Sequence, residues 1–287
     1  MQDSFVLNVI AQDGGRVAAK LAFLGKPKWL SPGHAFDISI PGEGVVSLSS
    51  VRAAAGDGAD INLVPVAGRK KKLLISDMES TIISCECLDE LAEIAGIKPK
   101  IASITERAMR GEIAFEGALR ERVGLLKGLR KADLDQVYRE KATLIDGAKE
   151  FVATMKKHGA HTMLVSGGFT YYTAKIAELV GFDEHQANTL NLDGETLAGT
   201  VGEPILGREA KLEALERGVK AFGLDASEAL AIGDGANDLA MIQRAGMGVA
   251  FHAKPVVAAA AGFAITNGNL RDVLYLQGYT DEEIVSQ

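Results

Sequence analysis

Apolar residues fall into two patterns along this chain. Between Phe5 and Val66, short apolar stretches alternate with turn residues: Phe5 to Ile10, Val17 to Leu24, Phe36 to Ile40, Val45 to Ala55 and Ile61 to Val66. Read by their periods they predict the order β-α-β-α-β, a small α+β domain over residues 1–69. From Leu73 the pattern changes. Leu73-Leu74-Ile75-Ser76 stops at Asp77, Thr162-Met163-Leu164-Val165 at Ser166, and Ala229-Leu230-Ala231-Ile232-Gly233 at Asp234. Unbroken apolar runs of this length, separated by amphipathic helical stretches, predict parallel strands buried on both faces. Ligands of such sheets bind beyond the carboxyl ends of the strands, so two carboxylates and a hydroxyl are predicted to share one rim.

More than eighty residues separate the first of these strands from the second, far more than one crossover helix requires, so the spacing predicts an insertion. It reads as helices over Glu86 to Ala95, Lys100 to Arg110, Phe115 to Lys127 and Asp133 to Ala142, with Gly96, Gly111 and Gly128 at helix ends. A helical module that springs from the loop after Asp77 covers the rim as a cap. Asp146 to Lys157 reads as the crossover helix back into the sheet. Asn188 to Val201 reads as a hairpin turning at Asp193-Gly194. The expected division is 1–69 for the small domain, 70–84 with 146–287 for the core, and 85–145 for the cap. The basic run Arg69-Lys70-Lys71-Lys72 at the first boundary reads as a solvated linker.

Composition narrows the function. A chain of 287 residues with 47% hydrophobic and 24% charged residues is an ordinary globular protein with a sizeable core. Its net charge of −7, from 31 basic and 38 acidic residues, argues against a nucleic-acid surface but permits a small anionic substrate. No apolar run is long enough to span a bilayer, and Met1 to Gly14 lacks the basic-then-apolar order of an export signal. The only two cysteines, Cys85 and Cys87, are one residue apart, poorly placed for a mutual disulfide and too few for a zinc site. These features lead to the expectation of a cytoplasmic protein with neither a membrane nor a nucleic-acid partner.

Candidate chemistry gathers at the strand ends. In Asp77-Met78-Glu79-Ser80-Thr81, one carboxylate can attack phosphorus while a second protonates the leaving oxygen and later activates water; the same residues could instead cap the next helix. Gly233-Asp234-Gly235-Ala236-Asn237-Asp238 adds two carboxylates and an amide. So many carboxylates on one rim repel each other unless a hard cation sits among them, and an oxygen-only ligand set points to Mg²⁺. Ser166-Gly167-Gly168 opens a helix near Thr170 with a hydroxyl and free N–H groups, a ready anion site. Lys211, near the start of a helix running to about Phe222, can neutralise a phosphate and an attacking carboxylate together.

In this order and spacing, Asp77-Met78-Glu79-Ser80-Thr81, Ser166-Gly167, Lys211 and Gly233-Asp234-Gly235-Ala236-Asn237-Asp238 resemble the four motifs of the haloacid dehalogenase-like hydrolases. The similarity runs from about Lys72 to the C-terminus. It implies an α/β fold with a Rossmann-like parallel sheet core, a helical cap inserted after the first core strand, and the small N-terminal α+β domain set ahead of both. Within that superfamily the cap is similar to that of the phosphoserine phosphatases, in which a cap glutamate meets the substrate amine and a cap arginine its carboxylate. Glu86 and Arg122 occupy the matching places, with Arg120 as the competing arginine, and Met109 and Phe115 match apolar pocket positions. The resemblance implies a small-molecule substrate, O-phosphoserine, with Asp77 as nucleophile and Glu79 as acid and base. It further implies Mg²⁺ held by Asp77, Glu79 through its backbone carbonyl, and Asp234, with Asp238 orienting the cluster. Ser166, Gly167, Lys211 and Asn237 are then expected to hold the phosphoryl oxygens. Glu79 departs from the family pattern, in which most members have aspartate there. The N-terminal domain resembles amino-acid-sensing modules. Another small phosphomonoester as substrate, a weakly catalytic amino-acid-binding regulator, and a homodimer remain open at this stage.

Overall fold

The computed structural model describes residues 5–41 and 46–286. Val45, where the second predicted helix starts, and Met1 to Ser4 lie outside them. The N-terminal elements are β1 (Phe5–Ala11), α1 (Gly14–Lys20), β2 (Lys28–Ser31), β3 (Ala35–Ile40), α2 (Leu48–Ala55) and β4 (Ala59–Pro65). They form an antiparallel sheet in the order β2-β3-β1-β4. This is one strand more than the apolar pattern predicts. In β2 only Leu30 is buried, so the strand carries no alternation to read. The two-residue period of β1 instead buries both faces: Leu7 and Val9 pack with Val17, Leu21 and Val51 of the helices, while Val6 and Ile10 join the main core of the molecule.

The rest of the chain builds a parallel sheet. Its elements are β5 (Leu73–Ser76), then the cap helices α3 (Cys87–Ile94), α4 (Lys98–Met109), α5 (Phe115–Gly124) and α6 (Lys131–Glu140), then α7 (Ala148–Lys157), β6 (His161–Phe169), α8 (Thr170–Val180) and β7 (Glu184–Asn188). The hairpin β8 (Leu190–Asp193) and β9 (Thr196–Val201) follows, then α9 (Ala210–Ala221), β10 (Ala229–Gly233), α10 (Leu239–Arg244), β11 (Met247–Phe251), α11 (Pro255–Ala260), β12 (Phe263–Ile265) and α12 (Asp272–Leu276). The sheet order is β12-β11-β10-β5-β6-β7. Alternate residues of β5 feed two cores: Leu74 packs with Phe151, Val152 and Ile176 of α7 and α8, whereas Leu73 and Ile75 pack with Leu215, Met241 and Val257 of α9, α10 and α11. Cover on both faces is what makes the strands continuously apolar. Among the described residues no helix is long and apolar enough to cross a membrane.

The cap leaves and re-enters the core through a pair of crossing segments, where Ser84 N donates to Thr143 O (3.0 Å) and Ile145 N to Ile82 O (2.9 Å). The β8–β9 hairpin leans on the cap: Gly128 N donates to Leu197 O (2.9 Å) and Leu197 N to Leu129 O (2.7 Å).

The basic run is solvated only in part: Lys70 and Lys72 are exposed, whereas Lys71 is buried and Arg69 partly so. Arg69 forms an ion pair with Asp37 of β3 and donates to the carbonyls of Tyr275 and Leu276, and Lys71 donates to Gly68 O and Ser227 O. Lys70 pairs with Glu283 and Lys72 with Glu228. The Arg69 and Lys71 side chains are taken out of water, where an unpaired charge costs more than a paired one; the Lys70 and Lys72 pairs are surface pairs. The two sheets also meet edge to edge. The Asn62 side chain of β4 donates to Ala264 O and accepts from Ala264 N of β12, both at 3.0 Å, and Asp60 accepts the N–H groups of Thr266, Asn267 and Gly268. At the same junction His34 lies 2.6 Å from Asp272, whose hydrogen bond raises the imidazole above its usual range.

Candidate active site

Three adjacent strands set the site. β5 lies between β10 and β6, with Ser76 opposite Ile232 on one side and Leu164 on the other, so Asp77 and Asp234 follow directly on the ends of β5 and β10. Ser166 does not end its strand as the sequence predicts: β6 runs on to Phe169, and Ser166 lies within it, just past the last pair with β5. Asp77 N donates to Ile232 O (3.0 Å), which continues the β5–β10 ladder by one residue and fixes where the aspartate emerges. Its Oδ1 accepts from Met78 N (2.7 Å). Its Oδ2 lies 2.8 Å from Lys211 Nζ. Lys211 also meets Asp238 Oδ1 at 2.5 Å, and Asp238 Oδ2 accepts from Gly235 N at 2.9 Å. The chain after Asp77 turns sharply, with Ser80 at a positive φ of 55°.

Asp77, Asp234 and Asp238 each bring a carboxylate oxygen within 4.8 Å of the others. Three carboxylates against one ammonium leave two negative charges, the complement of a divalent cation, and every donor is a hard oxygen. The electrostatics agree. Burial pushes Asp77 well above the usual carboxylate range, where Asp238 adds to the push and Lys211 opposes it. Burial, Asp238 and Glu86 raise Asp234 to about 6. Burial pulls the Lys211 ammonium down, but Asp77 and Asp238 more than reverse this and hold it above the usual lysine range. The residues therefore fit a divalent metal ion, with Asp77, Asp234 and Asp238 as the side chains able to hold it.

A carboxyl whose pKa is raised on folding binds its proton more tightly in the native chain, so it costs stability as pH climbs from the unfolded value to the folded one. For Asp234 that window runs from about 4 to about 6. In metal-free protein, Asp234→Asn is expected to gain melting temperature relative to the unsubstituted chain as pH rises through this window. Thermal unfolding at pH 4.5 and pH 7 checks it, and parallel curves would remove the strain assigned to Asp234.

The remaining candidates sit around this cluster. Ser166 is buried and its Oγ accepts from Gly168 N (2.9 Å). Asn188 fixes the turn beside it, donating to Gly167 O (2.9 Å) and accepting from Leu206 N (2.7 Å). The sequence gives no signal for Asn188, because its role comes from pairing two distant loops. Glu79 is half-buried. Burial and the charge of Glu86 push it up to about 7, while a hydrogen bond from Cys87 N (2.7 Å) opposes them. Its side chain is not part of the three-carboxylate cluster. Glu86 is exposed at the N-cap of α3, where Oε1 accepts from Ser80 Oγ (2.8 Å). Arg122, on α5, is half-buried and its Nε donates weakly to Ala118 O (3.4 Å). Among the described residues it has no ion-pair partner, and burial pulls its guanidinium down while Asp89, Glu79 and Glu86 pull it back. Arg120 points elsewhere and pairs with Glu203 at 2.6 Å. Asn237 is exposed in the turn after β10. Of the two apolar candidates, Phe115 approaches Gly167, where a Cβ would lie 3.6 Å from its Cζ, whereas Met109 at the end of α4 is 74% exposed.

A rim of this kind is chemically suited to nucleophilic displacement at an anionic centre. It offers a buried carboxylate held by an ammonium, room for a hard cation, a hydroxyl in a glycine turn and a nearby carboxyl able to exchange a proton near neutrality. The comparisons with known proteins agree. The sequence profile of the haloacid dehalogenase-like hydrolases matches residues 71–246. A phosphoserine phosphatase of Archaeoglobus fulgidus is 41% identical over 221 residues, which is 76% of this chain and 64% of that protein, so the chain spans just under two thirds of this relative's length. A crystal structure of a haloacid dehalogenase family hydrolase from Salmonella enterica superposes with a TM-score of 0.85 at 26% identity, covering 96% of this chain and 98% of that one. The structure of a phospho-aspartyl intermediate analogue of phosphoserine phosphatase superposes at a TM-score of 0.66 and 38% identity, over 72% of this chain and 98% of that one. With its profile match covering more than half its length, the chain belongs to the haloacid dehalogenase-like hydrolases.

Proposed function

We propose that this protein hydrolyses O-phosphoserine to serine and inorganic phosphate through an aspartyl phosphate on Asp77, with Mg²⁺ as its ion. The observation that carries the substrate is the pair of cap charges facing the rim. Arg122 is half-buried without a carboxylate partner, and Glu86 is close enough to act on the titration of both Glu79 and Asp234. An arginine that gives up solvent without gaining a partner is suited to a ligand carboxylate, which it can bind through two parallel hydrogen bonds. Glu86 suits the ammonium at the other end of an amino acid. The relatives at about 40% identity that are phosphoserine phosphatases support the same reading.

An oxygen of Asp77 attacks phosphorus in line with the seryl oxygen; the new P–O bond forms as the seryl P–O bond breaks. Glu79, protonated at the start, gives its proton to the departing oxygen, and serine leaves. The Glu79 carboxylate then takes a proton from a water whose oxygen attacks the aspartyl phosphate. Phosphate departs, Asp77 is restored as a carboxylate and Glu79 is protonated again. A side chain that titrates near 7 suits both halves of this cycle. Lys211 offsets the charge on Asp77 and the phosphoryl group, while Ser166, the Gly167 amide and Asn237 position the phosphoryl oxygens. Asp77, Asp234 and the backbone carbonyl of Glu79 would hold Mg²⁺, with Asp238 orienting them, and the ion supplies neutralisation of charge on the phosphoryl oxygens.

The same proposal divides the chain into 1–69, a core of 70–84 with 146–287, and a cap of 85–145. The crossing segments at Ile82–Ser84 and Thr143–Ile145 serve as its hinge. Unbonded thiols at Cys85 and Cys87 suit a reducing cytoplasm. Phosphate release from phosphoserine, with and without Mg²⁺ and beside a phosphosugar panel, tests the assignment. Arg122→Ala is expected to raise KM for phosphoserine by roughly tenfold to a hundredfold, the range of a charged hydrogen-bonded pair, and to change an aryl phosphate about twofold or less. Equal losses on both substrates would count against Arg122 as the carboxylate site.

A further inference from the structure

We propose that the backbone amide of Cys87, in the first turn of the cap helix α3, is a positioning group for the Glu79 carboxyl, and that Gly168 supplies the space its second oxygen occupies. The inference rests on Glu79 being the acid and base described above. It concerns how a glutamate works at this position in place of the shorter aspartate.

Cys87 is the first residue of α3, so no carbonyl within the helix accepts its N–H. Glu79 Oε1 accepts that N–H at 2.7 Å. The other oxygen turns toward the anion-binding segment of β6. A methyl group built on Gly168 would lie 2.7 Å from Glu79 Oε2, 3.2 Å from the carboxyl carbon and 3.1 Å from Ser166 Oγ. Real Cβ atoms essentially never approach within 3.0 Å, so any side chain at 168 displaces the carboxyl. The two oxygens therefore have different duties: Oε1 is anchored on the cap, and Oε2 faces the place where Ser166 and Gly167 receive the phosphoryl group.

Arm length makes this possible. Aspartate is shorter by one carbon–carbon bond, about 1.5 Å, and cannot keep one oxygen on the Cys87 amide with the other against Gly168. The anchor belongs to the cap, because Cys87 lies beyond the crossing segments at Ser84 and Thr143. The alignment of the acid is thereby tied to the cap position.

The test is a double-mutant cycle. Cys87→Pro removes the N–H at the helix position where proline is best tolerated. Glu86, at φ −98° and ψ 102°, already has the extended backbone that a residue before proline requires. Cys87→Ala keeps the N–H and is the reference. Each is measured in the Glu79 chain and in Glu79→Asp. With Glu79 present, kcat of Cys87→Pro is expected to fall about tenfold to a hundredfold below that of Cys87→Ala, with KM unchanged. With aspartate at 79 the ratio is expected to be near one. An equal fall in both backgrounds, or a fall expressed in KM alone, overturns the proposal.

Gly168→Ala gives a second cycle that does not depend on proline being accommodated: its loss of kcat should be large beside Glu79 and small beside Glu79→Asp, and equal losses overturn the proposal. Both cycles are run on phosphoserine and on an aryl phosphate. A wild type active only on the aryl ester overturns the substrate assignment while the cycles remain readable on that ester, and one active on neither overturns both.

Discussion

Asp77→Asn is expected to lower kcat by at least about ten-thousandfold, the scale on which removal of a covalent nucleophile acts. The amide has no oxygen able to carry the phosphoryl group as an acyl phosphate. Lys211 is engaged with Asp238, and Ser166 Oγ is engaged with the Gly168 amide. The substitution should leave the metal-free fold intact or slightly stabilised, because it removes a buried carboxylate that burial and Asp238 disfavour and leaves Lys211 paired with Asp238. Acid-quenched mass spectrometry during turnover should find one phosphoryl group on the wild-type chain and none on the variant. A variant with substantial turnover, or a phosphoryl group mapped to another residue, would remove Asp77 from the role of nucleophile.

Lys211→Met is expected to damage both stability and chemistry. The ammonium is buried between two carboxylates, and its loss leaves them facing each other without a countercharge. Breaking a buried pair from one side typically costs about 3–5 kcal/mol. In metal-free protein, urea unfolding should show a loss of that size. Excess Mg²⁺ should recover part of it by supplying positive charge to the same carboxylates. Turnover should not recover with it: loss of one preorganised charge at the reacting group lowers kcat by about a hundredfold to a thousandfold. A loss of stability below about 1 kcal/mol would show that the lysine is not holding the acidic cluster together.

The strands that carry this chemistry were legible because burial on both faces makes them mostly apolar, so the point where each run gives way to a polar segment lies near the rim. This is why Asp77, Ser166 and Asp234 could be located from the apolar runs that precede them. The cap helices were legible from their glycine stops, and the structure begins them within a few residues of the expected positions. β2 was not, because a strand with one buried side chain has no period. The basic run at 69–72 was legible only in part: Lys70 and Lys72 are exposed as expected, but sequence hides the partners that draw in Arg69 and Lys71, namely Asp37, Gly68 and Ser227. Asn188 and the Cys87 amide were invisible for the same reason, each acting through contacts that only the folded chain creates. Met109, matched to a pocket by resemblance, lies exposed, while its partner Phe115 sits against Gly167.

The seam between β4 and β12 has a consequence for any shortened form of this chain. Each is the outermost strand of its sheet, and the Asn62 side-chain amide of one pairs with both main-chain groups of Ala264 in the other. Cutting near residue 70 would strip that cover from β12 and release the hydrogen-bonding groups of Thr266, Asn267 and Gly268 that Asp60 now occupies. A bare outer strand recruits another chain to complete itself. In the intact chain, Asn62 and Asp60 keep those groups occupied.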